Sequence, residues 1–535
     1  MKFARTLTLL VGLLLVWAFG PVVLVLALAS LGLRRVRRWL RPTRRALGIG
    51  VATVLVATGV VVLLPDGYLP IPPGAGAWVT PGYVGRPATP EPIAMKLPQH
   101  PGLAPNGMSA MHNDGWSSDA YAGPGPLGRS PEVDTAWYGI KECATLAFDS
   151  QGQMIALCGN LRGAIMHVVD PESMRPQATL VLPERGDGNG KKPWENLCGG
   201  SYFYLDWLDR AVVATTDRRI VTITTSNAEG EPDLAIESSI DLSDHIPDDD
   251  CLIALMPDWT SGATWWVTKN GLVGTATPDA VAVRDLGEEI ANSISVGEDG
   301  GVYVVTTEQF YKLTAAPREP AIAWETTYDR GTRLKPGMIS QGSGTTPTLM
   351  PDGLVAITDN AEPRMHVQFY RQDDGGLVCQ EPVFDDDVSA SDNSLISVGD
   401  GVIVENNYGY SSPLRTMLGR TTTGGFARVD VDYDPEARTG ECTTAWTNEV
   451  DGPTSVAKAS LANGLVYAYT KRSSLLGVNA WYLSAMNART GELEFAVRTG
   501  IGLMFNNHYS AVTLGPDGSA YAATLAGMVR VRDTY

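Results

Sequence analysis

Histidine and cysteine are scarce in this chain of 535 residues, with six of each, and no acidic residue occurs before Asp66. Six cysteines are too few for a disulfide-built miniature fold. None of them falls in a C-x-x-C pair, which excludes a cysteine-rich zinc ribbon, a thioredoxin-type site and attached haem. G-x-S-x-G, H-E-x-x-H and G-x-x-x-x-G-K-[ST] are also missing, so no common hydrolase or nucleotide-binding signature is present. The stretch Gly186–Lys192 fails the last pattern because Arg185 stands where its first glycine belongs. No long amphipathic helical pattern follows residue 65. What is abundant instead is glycine, at 57, and proline, at 35, the residues of turns.

The net charge of −18 argues against nucleic acid as a partner, because phosphate binding needs a cationic surface. That figure averages two unlike parts. Residues 1–65 carry nine basic residues and no acid, which leaves the remainder at 32 basic against 59 acidic. Leu7–Leu33 and Ala46–Leu64 are uncharged runs of 27 and 19 residues, each long enough for a transmembrane helix. Seven arginines lie between them, in residues 34–45, and by the positive-inside rule this loop is expected in the cytoplasm. The expectation is therefore a multi-pass cell-membrane protein, with its N-terminus out, the arginine loop in and everything after Leu64 extracytoplasmic. Residues 66–110 read as a Pro-rich linker, with ten prolines in 66–105.

From residue 111 to 535 one phrase recurs: a short apolar strand, a Gly/Asp-rich turn, a second strand ending near Thr, then a third strand. Ser293–Leu313, Thr346–Phe369 and Ser510–Val531 are examples. Asp-Gly between β-formers signals a hairpin, because its turn needs positive φ. Eight such turns are expected, near Gly152, Asp209, Gly262, Gly300, Gly353, Gly401, Gly464 and Gly518. Repeats of this size predict an all-β, eight-bladed β-propeller, with seven blades as the alternative. The last phrase stops after its third strand, and a lone strand, Glu132–Ile140, precedes the first. This early strand is expected to complete the last blade.

Ala485–Phe495 reads AMNARTGELEF. It resembles the A-x-D-x-x-T-G-x-x-x-W blade motif of the quinoprotein-like (PQQ-type) propellers. Ala485, Thr490 and Gly491 match, while Asn487 stands for the Asp and Phe495 for the Trp. A looser form recurs around Thr439, Gly440 and Trp446, and Met111–Gly128 looks like the short piece that precedes blade one in that group. The resemblance implies the propeller fold. It also raises pyrroloquinoline quinone as a cofactor, against which stand the altered Trp position and the lack of an adjacent Cys-Cys pair.

Cys143 and Cys158 are centred on the turn Asp149–Gly152 and are expected to face each other across one hairpin as a disulfide. Cys198 and Cys251, and Cys379 and Cys442, occupy similar positions in neighbouring blades, and their pairing is left open among the connectivities that six cysteines allow.

Hairpin turns fall on one face of the ring, and the remaining loops on the other. That second face gathers Asp359, Asn360 and His366; Glu405, Asn406 and Asn407; Asn506, Asn507 and His508; and, from the leading segment, His112 and Asp114. Carboxylates, amides and imidazoles at a channel mouth suit a cation or a polar ligand, although Asn and Asp also cap turns. Calcium is a weaker candidate at Asp430, Asp432, Asp434 and Glu441, which match positions 1, 3, 5 and 12 of a calcium loop but have Pro435 at the glycine position. The leading functional expectation is a membrane-anchored binding or scaffold propeller for a protein or small polar ligand outside the membrane. The alternative is a propeller enzyme, either a quinone-dependent dehydrogenase or a metal-dependent, lactonase-like hydrolase.

Overall fold

The computed structural model describes residues 2–40, 44–160, 162–184, 198 and 202–534. Its centre is a ring of eight four-stranded antiparallel blades. Blade one is β4–β7 (Glu142–Phe148, Met154–Gly159, Gly163–Asp170, Arg175–Glu184) and blade two is β8–β11 (Phe203–Leu205 to Pro232–Asp241). Blades three to six are β12–β15 (from Leu252), β16–β19 (from Ser295), β20–β23 (from Thr348) and β24–β27 (from Ile396). Blade seven is β28–β31, from Lys458–Ser460 to Leu493–Ile501. Blade eight takes β32–β34 (Val512–Leu514, Ala520–Thr524, Gly527–Asp533) from the C-terminus and its outer strand, β3 (Pro131–Trp137), from before blade one. Glu132 faces Arg532 and Ala136 faces Met528 across this seam. The early strand thus closes the ring, and no open sheet edge remains between the first and last blades.

All eight expected turns join a first strand to a second. Asp209, Gly262, Gly300 and Gly518 have φ between 60° and 79°, the left-handed region that Gly and Asp enter most readily. At blade six the positive φ falls on Gly399 rather than Gly401, which already begins β25 (Gly401–Glu405). The core is divided among the gaps between blades, where Trp265, Trp266, Tyr303, Tyr467 and Trp481 are almost wholly buried. Two tryptophans dock one blade on the next. Trp446, on the outer strand of blade six, donates to Ala488 O at 3.1 Å and lies so close to Gly491 that a Cβ there would meet its ring at 2.4 Å. Trp324 of blade four does the same against Gln372 O, at 3.0 Å, and Gly375 of blade five.

Three disulfides form: Cys143–Cys158, Cys198–Cys251 and Cys379–Cys442. The first pairs directly opposed residues of β4 and β5. The last joins the outer strands of blades five and six, β23 (Leu377–Pro382) and β27 (Thr439–Asn448).

The N-terminal region departs from expectation. The first apolar run is not one helix: α1 (Lys2–Phe19) ends where Gly20 takes a φ of 83°, and Pro21, which has no N–H to continue the ladder, opens the ten-residue α2 (Pro21–Ser30). Much of the expected arginine loop is itself helical, as α3 (Arg34–Leu40), and α4 (Arg44–Leu63) begins on two arginines. Among the described residues no helix is long and apolar enough to cross a membrane. The two expected spans, and the multi-pass topology and extracytoplasmic placement inferred from them, are therefore overturned. The Pro-rich stretch lies along the ring. Gly67 N bonds to Trp137 O and Gly74 N to Ile501 O, and β1 (Tyr83–Gly85) adds to the outside of blade seven. Glu91 N and Ile93 N then bond to Asn463 O and Leu461 O on the hairpin face.

Candidate functional site

The channel of the ring is lined by the first strand of each blade, and here the chain fills it with its own leading segment. Residues 103–121 bond in turn to these inner strands: Ala104 N to Leu205 O and Leu205 N to Ser109 O (blade two), Phe148 N to Met108 O (blade one), Val296 N to Gly115 O (blade four) and Leu349 N to Trp116 O (blade five). They continue with Ser397 N to Ser118 O (blade six) and Ala459 N to Asp119 O (blade seven). A buried backbone requires such partners, and the short inner strands supply them. β2 (Ala120–Tyr121) runs parallel to β28 at the end of this path.

The polar side chains of this plug meet inside the channel. Lys458 Nζ pairs with Asp119 and also donates to Met111 O; neither side chain of the pair is exposed. His112 Nδ1 lies 3.0 Å from Asp119 Oδ1 and 3.0 Å from Ser394 Oγ, and Ser394 donates to Asp119 Oδ2. Burial alone would raise the Asp119 carboxyl, but the Lys458 ammonium and His112 hold it below its ordinary value. Burial pushes Lys458 down, and Asp119 opposes this. Asp114 accepts from Ser118 Oγ at 2.6 Å, and burial raises it to about 6. Of the residues expected from sequence, His112 and Asp114 thus lie inside the channel rather than at its mouth. Asp119, Ser394 and Lys458 were not anticipated. The signal available was Lys458, a single charge in the otherwise uncharged stretch Thr454–Thr470.

At the mouth on the second face, Glu405 accepts from Asn393 Nδ2 at 3.0 Å and from Ser455 N at 3.2 Å, and burial raises its carboxyl well above the ordinary value. Asp392 accepts from Ile339 N at 2.8 Å, and burial pushes it up to about 8. The amides here fasten loops. Asn406 Nδ2 donates to Val388 O and Asn507 Nδ2 to Thr454 O, while Asn407 Oδ1 accepts from Asp392 N and Asn506 Oδ1 from His508 N. His508 Nδ1 lies 3.1 Å from the Tyr410 hydroxyl, and burial lowers the imidazole to about 4. It is therefore neutral near pH 7, and the same phenol donates to Asn506 Oδ1 at 3.4 Å. His508 and Tyr509 both have positive φ, 38° and 65°.

Asp359, Asn360 and His366 stand apart in blade five. His366 Nδ1 is 2.7 Å from Asp359 Oδ2, a hydrogen bond that raises the imidazole. Asn360 Nδ2 donates to Arg330 O and Arg333 O, which pins the preceding loop. Asp430, Asp432 and Asp434 follow one another along β26 (Phe426–Asp434), with Glu441 on the neighbouring β27. Asp430 pairs with Arg428, and Asp434 caps its own turn. Among the described residues no group of three or more His, Cys, Asp or Glu side chains is placed to hold a metal ion.

No family model matches the chain. An uncharacterized protein of Archaeoglobus fulgidus is 28% identical over 306 residues, half of this chain; the match covers only 59% of that relative's length. Similar solved structures include Chaetomium thermophilum Sqt1 bound to the N-terminus of the ribosomal protein L10 (10% identity, TM-score 0.43, 77% of this chain and 100% of that one). A streptogramin B lyase is another (9%, 0.39, 75% and 97%), as is BamB from Moraxella catarrhalis (14%, 0.33, 60% and 93%).

Proposed function

We propose that this chain is a binding or scaffold propeller of the quinoprotein-like type, taking a protein or a small polar ligand on its faces. The observation that carries the reading is the plug: the channel is filled by residues 103–121, and its central charges are neutralised by one another. The docking of Trp446 on Ala488 and Gly491 supports the likeness to quinoprotein-like blades, since the matched Ala-x-Asn-x-x-Thr-Gly turn receives it. The residues present do not fit a resident quinone. The channel interior is taken up by Asp119, His112 and Lys458, and the three disulfides join residues distant in sequence rather than an adjacent pair.

The enzyme reading rests on Asp392, a buried carboxyl raised to about 8 beside the channel mouth and so able to serve as an acid near neutral pH. One assay separates the two. The purified chain is offered alcohols, carbohydrates and lactones, with and without added quinone and calcium. The binding reading expects no saturable turnover; turnover lost in Asp392→Asn would establish the enzyme reading instead.

A further inference from the structure

On the hairpin-turn face, opposite the mouth, a groove of about 500 Å³ opens between blades five, six and seven. That volume suits a small ligand or a few residues of peptide. Its walls differ in character. Blade five contributes Asp352, an exposed carboxylate at the tip of a hairpin with φ of 60°. Blade seven contributes Asn487 and Arg489 from the turn that follows β30 (Ala480–Asn487).

Asn487 is 7% exposed. Its Oδ1 accepts from the backbone of Arg489 and Thr490, at 2.9 and 3.1 Å. The orientation of the amide is thereby fixed, and its Nδ2 is left without a partner among the described residues. This Nδ2 is not one of the enclosed polar atoms that lack a partner; it keeps contact with solvent and so is free to donate to a ligand in the groove. Arg489 and Asp352 likewise enter no ion pair among the described residues. Arg428 between them is already engaged by Asp400, Asp430 and Ala488 O. Glu91, Asp352 and Asp400 outnumber Arg428 and Arg489 by one, so the groove is weakly acidic. It therefore repels polyanions and has a donor end and an acceptor end.

We infer that this groove binds a short zwitterionic peptide, its terminal carboxylate held by Arg489 and Asn487 and its ammonium by Asp352. Charge-assisted hydrogen bonds at both ends provide the selectivity, and the strap Glu91–Ala94 forms one side. The inference rests on the binding reading above and names a ligand class for it.

The test is calorimetric titration of the full chain with trialanine, N-acetyl-trialanine and trialanine amide. Trialanine binds saturably, and blocking either terminus weakens it by about tenfold. Arg489→Gln abolishes the penalty for amidation and keeps that for acetylation; Asp352→Asn does the reverse. Both sites are exposed turn positions, so folding is not at risk. Absence of saturable binding below about 10 mM, or variants that keep both penalties, overturns the inference. Such a failure leaves the general binding reading to the turnover assay, which decides that question separately.

Discussion

Lys458 and Asp119 form an ion pair in which neither side chain reaches solvent. They come from opposite ends of the ring, 339 residues apart, and they tie the plug to the inner strand of blade seven. Removing one partner of a buried pair leaves an uncompensated charge, which costs about 3–5 kcal/mol. Lys458→Met should destabilise by that amount in urea unfolding. Lys458→Met combined with Asp119→Asn should recover part of it, because both charges are then gone.

Stability should fall as pH rises above about 6.5. Asp392, raised to about 8, and Glu405 and Glu142, raised by burial, have folded values above their unfolded ones. Each favours the folded chain when protonated and loses that contribution as pH climbs through its folded value. The raised His366 has the same sign. His100, His167 and His508, lowered to about 4, act oppositely, but only between about 4 and 6.5. Urea midpoints should therefore drop between pH 6.5 and 8, above which the lowered Lys471, at about 8, begins to act oppositely, and Asp392→Asn should shrink the drop.

The disulfides differ in the length of chain they close. Loop entropy assigns about 3 kcal/mol to Cys143–Cys158, with a separation of 15, and about 4 kcal/mol to Cys379–Cys442, with a separation of 63. Paired Cys→Ala variants should lower the unfolding temperature in that order.

Gly491 has φ of 73° and sits beneath the Trp446 ring. Gly491→Ala should cost about 1–3 kcal/mol through backbone strain and displacement of the indole. Trp446→Phe should cost about 1 kcal/mol for the lost bond to Ala488 O. Measured together, the two changes should not add, since they disturb one contact.

The ring was legible in the sequence because its turns are chemically constrained. Positive φ at Asp209, Gly300 or Gly518 favours Asp or Gly, and such residues are visible between apolar runs. Closure was legible because the last phrase lacks a strand that an earlier segment supplies. The first N-terminal run was misread because hydropathy averages over Gly20-Pro21, where the backbone breaks. The plug was hidden for a different reason. Ser109–Asp119 has no periodicity to detect, and its partners are the inner strands of blades that follow far along the chain. His112 was among the expected candidates, yet what it meets, Asp119 and Ser394, depends on tertiary placement alone.

The plug also sets an order of assembly. Residues 103–121 leave the ribosome before any blade, but Asp119 acquires Lys458 and its backbone bond to Ala459 only after six blades have been made. Contacts of such long range form slowly. The earlier residues of the plug can engage blades one and two as these form, but the Asp119 end must wait for blade seven, so the far end of the axle is synthesised before the wheel and is among the last parts to be seated.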